Sequence, residues 1–178
     1  MNPHQILTES DIIFNAHEVD LALLKLAQSI SADYQSSQPL VLAVMGGAVY
    51  FAGQLLANLN FPLQFDYLQA TRYGQQTAGA DLIWKVEPPL QVQDREILIL
   101  DDILDQGVTL AAIKQKCLAM GANRVKIAVL FEKVLPQAKP VQADYVGLNV
   151  PDRYVFGCGM DVYGWWRNLP EVRALKET

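Results

Sequence analysis

The sequence predicts one α/β domain with a mainly parallel central sheet flanked by helices. Short, uninterrupted apolar runs, typical of strands buried on both faces of a parallel sheet, alternate with longer segments of helical periodicity. The 178 residues are enough for one hydrophobic core without disulfides. Because no repeat, low-complexity tract or linker divides the chain, we expect residues 1–178 to form a single domain.

The first half of the chain is predicted to alternate helices and strands. Apolar residues at helical spacing predict a helix over His17–Tyr34, and the apolar run Leu40–Met45 predicts a buried strand. A second helix is expected over Val49–Leu59, followed by a strand over Pro62–Ala70. The polar, glycine-bearing segment Thr71–Asp81 is predicted to be a mobile loop.

The second half continues the same alternation. A helix is expected over Val108–Met120, with Gly121 as its stop. The expected strands are Leu82–Val86, Ile97–Leu100, Arg124–Phe131, Tyr145–Leu148 and Tyr154–Cys158.

Composition narrows the class of protein. The net charge of −5 argues against a general nucleic-acid binder but leaves room for a local basic groove. No apolar stretch approaches the ~20 residues of a membrane span. The N-terminal residues lack the basic and apolar regions of a secretory signal. Cys117 and Cys158 lack metal-ligand spacing, so we expect both to be reduced thiols in the core of a cytoplasmic protein. From the charge and the lack of a membrane span, we expect no nucleic-acid or membrane partner.

The segment ILILDDILDQGVTL, residues 97–110, carries the strongest chemical signal. A buried strand ends in Asp101 and Asp102, and Asp105, Gly107 and Thr109 follow. A strand-to-helix turn offers free backbone N–H groups to a phosphate, whereas acids beside it require hydroxyl donors or cations. The pattern favours a ligand with a phosphate, hydroxyls and a metal ion. The alternative is that Asp101 caps a helix and Asp105 is a solvated turn residue.

Two motifs carry a resemblance to a known family. LDDILDQGVTL resembles the phosphoribosyl diphosphate (PRPP) binding signature of type I phosphoribosyltransferases. ADYVGLNVPDRYVFGCGMD, with WWRNLP after it, is similar to the purine-binding end of hypoxanthine-guanine phosphoribosyltransferases. The resemblance runs from about Leu7 to Leu169.

The resemblance implies a fold and an activity. The fold would be the type I phosphoribosyltransferase fold, with a small hood built from terminal segments. The activity would be that of a purine salvage pentosyl (glycosyl) transferase, which moves the 5-phosphoribosyl group of PRPP to N9 of hypoxanthine or guanine. The products would be IMP or GMP and pyrophosphate, and Mg²⁺ would be the cofactor.

The resemblance also assigns residues to PRPP. Asp101 and Asp102 would meet the ribose hydroxyls, directly or near Mg²⁺, since ionised carboxylates accept from a diol and bind hard cations. Arg167 would grip the pyrophosphate. The turn that binds the 5′-phosphate would be Gln106, Gly107, Val108 and Thr109. Gln106 replaces the family's usual small hydroxyl residue, and Thr109 could instead be an ordinary first-turn helix residue.

A second group would serve the base and the catalysis. Asp105, which would also lie at the PRPP site, would take the proton from purine N7 as N9 attacks the sugar. Lys133 would donate to the purine O6, and Tyr154 would stack on the base. The backbone of Val155 would contact the base, and Asp161, in the same purine-binding segment, would join Asp101 and Asp102 as a Mg²⁺ ligand. The alternatives are a solvated Lys133 and a half-buried strand aromatic at Tyr154.

Two segments depart from the family pattern. The family's first loop often reads Lys-Gly-Gly, with the pyrophosphate on its backbone; here Gly46 stands where the Lys would be, and Gly47 and Ala48 follow. In the predicted mobile loop, Arg72 and Tyr73 replace the usual Ser-Tyr pair. Arg72 either adds a pyrophosphate contact or is solvated, and Tyr73 would lie in a loop that closes over the reacting centre.

Other functions stay open at this point. The chain could be a PRPP-sensing regulator of the same fold, although a regulator that binds nucleic acid should show a basic face. It could also be a phosphoribosyltransferase that prefers xanthine. A homodimer or homotetramer is what the resemblance implies about subunit number.

Overall fold

A computed structural model describes residues 2–72 and 82–176 of the protein. The α-helices of these ranges are α1 (Pro3–Thr8), α2 (Ala16–Tyr34), α3 (Val49–Leu56) and α4 (Val108–Ala119), and Leu90–Val92 form a 3₁₀ turn. The strands are β1 (Ser10–Phe14), β2 (Leu40–Val44), β3 (Gln64–Arg72), β4 (Leu82–Val86), β5 (Glu96–Leu104), β6 (Arg124–Lys133), β7 (Tyr145–Val150), β8 (Val155–Phe156) and β9 (Val172–Leu175).

Six strands form the central sheet, in the order β4-β3-β2-β5-β6-β7. Every neighbouring pair is parallel except β3 and β4, which are antiparallel. Strand β5 lies between two parallel neighbours, and its apolar residues alternate between two cores. Leu98 and Leu100 pack with α2 and α3, whereas Ile97 and Ile99 pack with α4. The mainly parallel sheet with helices on both faces is confirmed.

Local sequence explains where the main helices begin and end. The Asn15 side chain accepts from the backbone of Glu18, and the Glu18 carboxylate accepts from the backbone of Asn15, so α2 starts with a capping box. Helix α4 starts after Gly107, at φ 78°, and ends before Gly121, at φ 91°. Glycine adopts this left-handed backbone at little cost, and Gly121 is the predicted helix stop.

The two ends of the chain build a small antiparallel sheet of order β1-β9-β8. Ser10 pairs with Leu175, and Val155 pairs with Ala174, so both ends meet beside the central sheet. This sheet is the hood, and its presence confirms that expectation. Elements α1, β1 and β9 are not predictable from local sequence, because they are short and only partly buried, and their apolar patterns are weak.

Several predicted boundaries were wrong. Strand β5 runs on through Asp101 and Asp102 to Leu104, so these two acids lie within the strand. Helix α3 ends three residues before Leu59. Thr71 and Arg72, assigned to the loop, end strand β3, and residues 73–81 of the loop, including Tyr73, lie outside the described residues.

The strand predicted over Tyr154–Cys158 also shrinks, to Val155–Phe156. Gly157, Cys158 and Gly159 all have positive φ, at 98°, 49° and 104°, and this backbone cannot continue a strand.

Both thiols are buried, as predicted, and neither forms a disulfide. Burial raises the pKa of Cys117 to about 11 and that of Cys158 to about 12. Among the described helices, none combines the length and the apolar character that crossing a membrane requires.

Candidate active site

Three central strands deliver the predicted site residues to one edge of the sheet. Strand β5 carries Asp101 and Asp102 near its carboxyl end and is followed by Asp105. Strand β2 is followed by Gly46 and Gly47, and strand β6 ends at Lys133. Because β2, β5 and β6 are parallel neighbours, their carboxyl ends meet at the edge where α/β folds bind ligands.

Asp101 and Asp102 are buried acids, each 9% exposed. Burial, with the neighbouring Asp102 charge, raises the pKa of Asp101 well above its ordinary value. Burial also raises the pKa of Asp102, opposed by the Ile103 N–H and by the Arg167 charge. The N–H of Ile103 donates to Asp102 Oδ1 over 2.7 Å. Two adjacent buried carboxyls favour a bound cation or hydroxyl donors, and the helix-cap interpretation of Asp101 is wrong.

The first loop and the hood approach these acids through two glycines. The Met45–Gly46 peptide is cis, and a methyl group at Gly47 would lie 2.5 Å from Asp102 Cγ, far inside van der Waals contact. A methyl at Gly159, in the segment between β8 and β9, would lie 3.1 Å from the carbonyl carbon of Gly47. Glycine is therefore required for close backbone approach at both positions. A methyl at Gly46 would meet no atom within 4 Å.

The predicted phosphate turn opens into a cavity of about 230 Å³. Asp101, Asp102 and Arg167 line this cavity together with Gly47. Asp105, Gln106, Gly107 and Thr109 line it as well, with apolar neighbours that include Met45, Ala70 and Ile103. Gly46 and Val108 are not among its lining residues, and the Val108 side chain is exposed. The start of α4 faces this space, so the positive end of the helix dipole favours an anion there.

The residues predicted to bind the base line a second cavity, of about 280 Å³. Lys133 Nζ lies 3.2 Å from Asp105 Oδ2, and the Lys133 side chain is 13% exposed. The interpretation of Lys133 as a solvated surface residue is therefore wrong. The predicted members of the lining are Asp105, Lys133, Tyr154, Val155, Asp161 and Arg167, and Asp102, Ile103 and Met160 complete it.

Hydrogen bonds fix the hood side of this second cavity. The Tyr154 hydroxyl donates to the Asp161 carbonyl over 3.3 Å, and burial raises the pKa of Tyr154. The Tyr163 ring stacks on that of Tyr154, with centroids 6.4 Å apart. Arg167 pairs with Asp161 Oδ1 over 2.6 Å and donates to the Gly159 carbonyl over 2.6 Å. The ion pair therefore joins Asp161, which lines the base cavity, to Arg167, which lines both cavities.

The two cavities meet at shared walls. Asp102, Ile103, Asp105 and Arg167 line both of them, so a ligand in one cavity would lie against a ligand in the other. The sequence analysis did not find the apolar lining residues Met45, Ile103 and Met160. Ile103 and Met160 lie inside the two quoted motifs, so their position was the available signal. Chemically, the arrangement suits the transfer of a group between two ligands, with Asp105 at the junction.

Comparison with known proteins identifies the family. Residues 9–164 match the phosphoribosyl transferase domain. The chain belongs to the phosphoribosyl transferase family. The hypoxanthine-guanine phosphoribosyltransferase of Streptococcus pyogenes serotype M3 is 32% identical over 168 residues, 93% of each chain. The enzyme of the same name from Bacillus subtilis is 30% identical over 166 residues, 93% of this chain and 92% of its own.

Solved structures of related phosphoribosyltransferases share the fold. A hypoxanthine phosphoribosyltransferase from Trypanosoma cruzi, in complex with the product IMP, has a TM-score of 0.84 and is 26% identical, covering 94% of each chain. A hypoxanthine phosphoribosyltransferase from Staphylococcus aureus has a TM-score of 0.85 and 24% identity, covering 99% of this chain and 96% of its own. The type I phosphoribosyltransferase fold is confirmed.

Proposed function

We propose that this protein is a purine salvage phosphoribosyltransferase that transfers the 5-phosphoribosyl group of PRPP to N9 of hypoxanthine or guanine. The products are IMP or GMP and pyrophosphate. The observation that carries the proposal is the meeting of the phosphate-turn cavity and the Lys133–Tyr154 cavity at Asp105. The names of the S. pyogenes and B. subtilis relatives support the same activity.

PRPP fits the cavity of the phosphate turn. The backbone N–H groups at the start of α4, with the Thr109 hydroxyl, bind the 5′-phosphate. Asp101 and Asp102 accept hydrogen bonds from the ribose hydroxyls. These bonds offset the cost of burying the two carboxylates, so not every carboxylate oxygen needs a cation. The backbone of Gly47, which lines this cavity, lies along the pyrophosphate.

Arg167 completes the pyrophosphate site. Its guanidinium lines both cavities and carries more donors than its bonds to Asp161 and Gly159 use. A bidentate guanidinium suits a diphosphate that acquires charge as it leaves. Arg167 therefore supports the leaving group from the hood side of the site.

Mg²⁺ fits the donors at this edge of the sheet. Carboxylate oxygens are its preferred protein ligands, and it is commonly held by one or two of them together with substrate phosphates. In residues 2–72 and 82–176, no three acidic, His or Cys side chains converge to hold a metal ion by themselves. Asp101, Asp102 and Asp161 are therefore the residues that would hold Mg²⁺, together with the phosphates of PRPP. When bound, it neutralises charge on the leaving pyrophosphate.

The Lys133–Asp105 pair matches one edge of a 6-oxopurine. In the N7–H form of a free 6-oxopurine, O6 is an acceptor and N7–H is a donor, and the two lie side by side on one edge of the base. Lys133 offers donors and Asp105 an acceptor, with 3.2 Å between their charged atoms. Adenine carries a donor at the same place and would face the Lys133 ammonium unfavourably. Tyr154 stacks on the ring, and the backbone of Val155 contacts its edge.

Catalysis then needs one proton transfer and one substitution. The Asp105 carboxylate removes the N7 proton, which makes N9 more nucleophilic. The C1′–O bond to pyrophosphate breaks as the N9–C1′ bond forms, and positive charge develops on the sugar ring, as in glycoside hydrolysis. Asp101 and Asp102 orient the ribose and support this charge, while Arg167 supports the departing pyrophosphate.

Three properties beyond the activity belong to the proposal. Residues 1–178 form one phosphoribosyltransferase domain. The protein works in the cytoplasm, where Cys117 and Cys158 stay reduced. It forms a homodimer or homotetramer, supported by Phe65 and Tyr67, which are exposed on one face of β3. Light scattering after gel filtration tests this last property, and a monomer would contradict it.

A steady-state assay with PRPP, Mg²⁺ and each of hypoxanthine, guanine, xanthine and adenine tests the function. We expect turnover with hypoxanthine or guanine and little with adenine. Asp105→Asn should bind PRPP as the unchanged protein does but turn over about 100-fold more slowly, as expected for a lost general base. Turnover with none of the four bases would favour a PRPP-sensing regulator, and a clear preference for xanthine would change the substrate assignment.

A further inference from the structure

The segment between β6 and β7, residues 134–144, returns to the end of the sheet and buries an ammonium group there. The Lys139 side chain is 10% exposed. Its Nζ donates to the Leu104 carbonyl over 3.0 Å, to Glu132 Oε1 over 3.0 Å and to the Lys133 carbonyl over 2.6 Å. A lysine ammonium has three donors, so all of them are satisfied inside the protein.

These three acceptors lie where two strands separate. Strands β5 and β6 pair along their length, and their last paired residues are Leu104 and Glu132. Asp105 directly follows β5, and Lys133 is the last residue of β6. Lys139 therefore bridges strands β5 and β6 next to their last paired residues. The two side chains that face the base come directly after this pair.

The same segment also supports the phosphate turn. A methyl group at Gly107 would lie 3.3 Å from Val141 Cγ1 and 3.5 Å from Lys139 Cβ, so both side chains pack against this glycine. Lys139 itself lines neither the phosphate-turn cavity nor the base cavity. Any effect of Lys139 on the reaction must therefore pass through the residues that it holds.

We propose that Lys139 is a positioning residue that fixes the separation of Asp105 and Lys133. The Lys139 ammonium holds the Leu104 and Lys133 carbonyls at one point. The Asp105 carboxylate and the Lys133 ammonium therefore keep the spacing that matches N7 and O6 of the purine. Without this ammonium, Glu132 and the two carbonyls lose a common partner, and the two strand ends separate. Small displacements of reacting groups lower rates steeply. The inference rests on the proposed function, since it uses the roles given there to Asp105 and Lys133.

Lys139→Met tests the proposal, because methionine keeps much of the side-chain length and removes the charge. We expect kcat with hypoxanthine and guanine to fall about tenfold or more, as for a misplaced catalytic group. The matched control is Lys116→Met, which removes an equal charge and an exposed 3.1 Å ion pair with Glu87 on the side of α4. The control should stay within about twofold of the unchanged protein, the size of effect expected of an exposed ion pair. Equal kcat in the Lys139→Met and Lys116→Met proteins would overturn the proposal.

A double-mutant cycle separates positioning from general destabilisation. If Lys139 acts through Asp105, Lys139→Met should lower kcat by less than about twofold in an Asp105→Asn protein, because coupled residues are not additive. Equal fold losses in the two backgrounds would show a merely structural role. If Lys139→Met fails to fold, Glu132→Gln takes its place in the test. This change weakens one of the three acceptors and should lower kcat about twofold to fivefold. An unchanged kcat in Glu132→Gln would overturn the proposal. Activity of the unchanged protein tests the proposed function separately.

Discussion

A single methyl group at Gly47 should damage the site more than its size suggests. In Gly47→Ala the new Cβ would lie 2.5 Å from Asp102 Cγ and closer still to Oδ2, whereas ordinary contact begins at 3.4 Å. The loop or the Asp102 carboxyl must therefore move by at least about 0.9 Å, the difference between the Cγ distance and ordinary contact, and by more to clear Oδ2. Asp102 is 9% exposed and its open side lines both cavities, so the shift can be absorbed only in the space where the ligands bind.

The displacement has a cost in stability and a larger cost in rate. Overpacking of a buried site costs about 1–3 kcal/mol, which is about 2–12 °C in melting temperature for a chain of this size. A shift of about 1 Å at a reacting centre lowers the rate by about 100-fold. We therefore expect Gly47→Ala to fold, to melt a few degrees earlier and to lose about two orders of magnitude in kcat/KM for PRPP.

Gly46→Ala is the matched variant, since its methyl would meet no atom within 4 Å. Thermal unfolding and steady-state kinetics of both proteins, under the same Mg²⁺ and PRPP concentrations, make the comparison. Gly46→Ala should lose far less of its kcat/KM for PRPP and far less of its melting temperature than Gly47→Ala. The reasoning is refuted if Gly47→Ala keeps the kcat/KM and the melting temperature of the unchanged protein, or if the two alanine variants are equally impaired.

Two further predictions concern Lys133 and Asp33. In Lys133→Met, guanine should inhibit the use of hypoxanthine about 10- to 100-fold more weakly, because a hydrogen bond to a charged donor is lost. Inhibition by adenine should stay almost unchanged. Equal losses for both bases would contradict the role of Lys133. Hydrogen bonds from Lys126, over 2.6 Å, and from Tyr145 lower the pKa of Asp33 below its ordinary 3.8. The folded pKa is the lower one, so the carboxylate stabilises the fold above pH 3.8 and this contribution disappears as the pH falls through the folded value. Asp33→Asn should therefore have a lower melting temperature than the unchanged protein at pH 7 and the same melting temperature in acid. The control Asp20→Asn, at an exposed position of the same helix, should melt like the unchanged protein at every pH. A difference in melting temperature that persists at the lowest pH would argue against the Asp33 pairing.

The strands of the central sheet were the most predictable part of the fold. Runs such as Leu40–Val44 are apolar at every position because both of their faces are covered, and this pattern is visible in the sequence. The hood was predictable only through the resemblance. Its strands β1 and β9 are partly exposed, and they pair across more than 150 residues of chain, so no local pattern marks them.

The candidate site divides in a similar way. Asp101, Asp102 and Asp105 were found because they share one short motif with a buried strand. Lys139 was not found, because in the sequence it is one lysine in a polar segment after Lys133. Its burial depends on three acceptors that β5 and β6 bring to one point, and only the folded chain shows them.

The sequence by itself determined the succession of the central strands and of helices α2, α3 and α4 along the chain, the acids near the end of β5 and the chemical groups available for PRPP and a purine. These features are local, since they depend on periodicity and on residues a few positions apart. The tertiary structure decided the rest: the 3.2 Å between Asp105 and Lys133, the glycine contact between Gly47 and Asp102, and the junction of the two cavities. Each of these joins segments that are distant in the chain, and their separation in space is fixed by strand pairing and packing, which no single segment encodes.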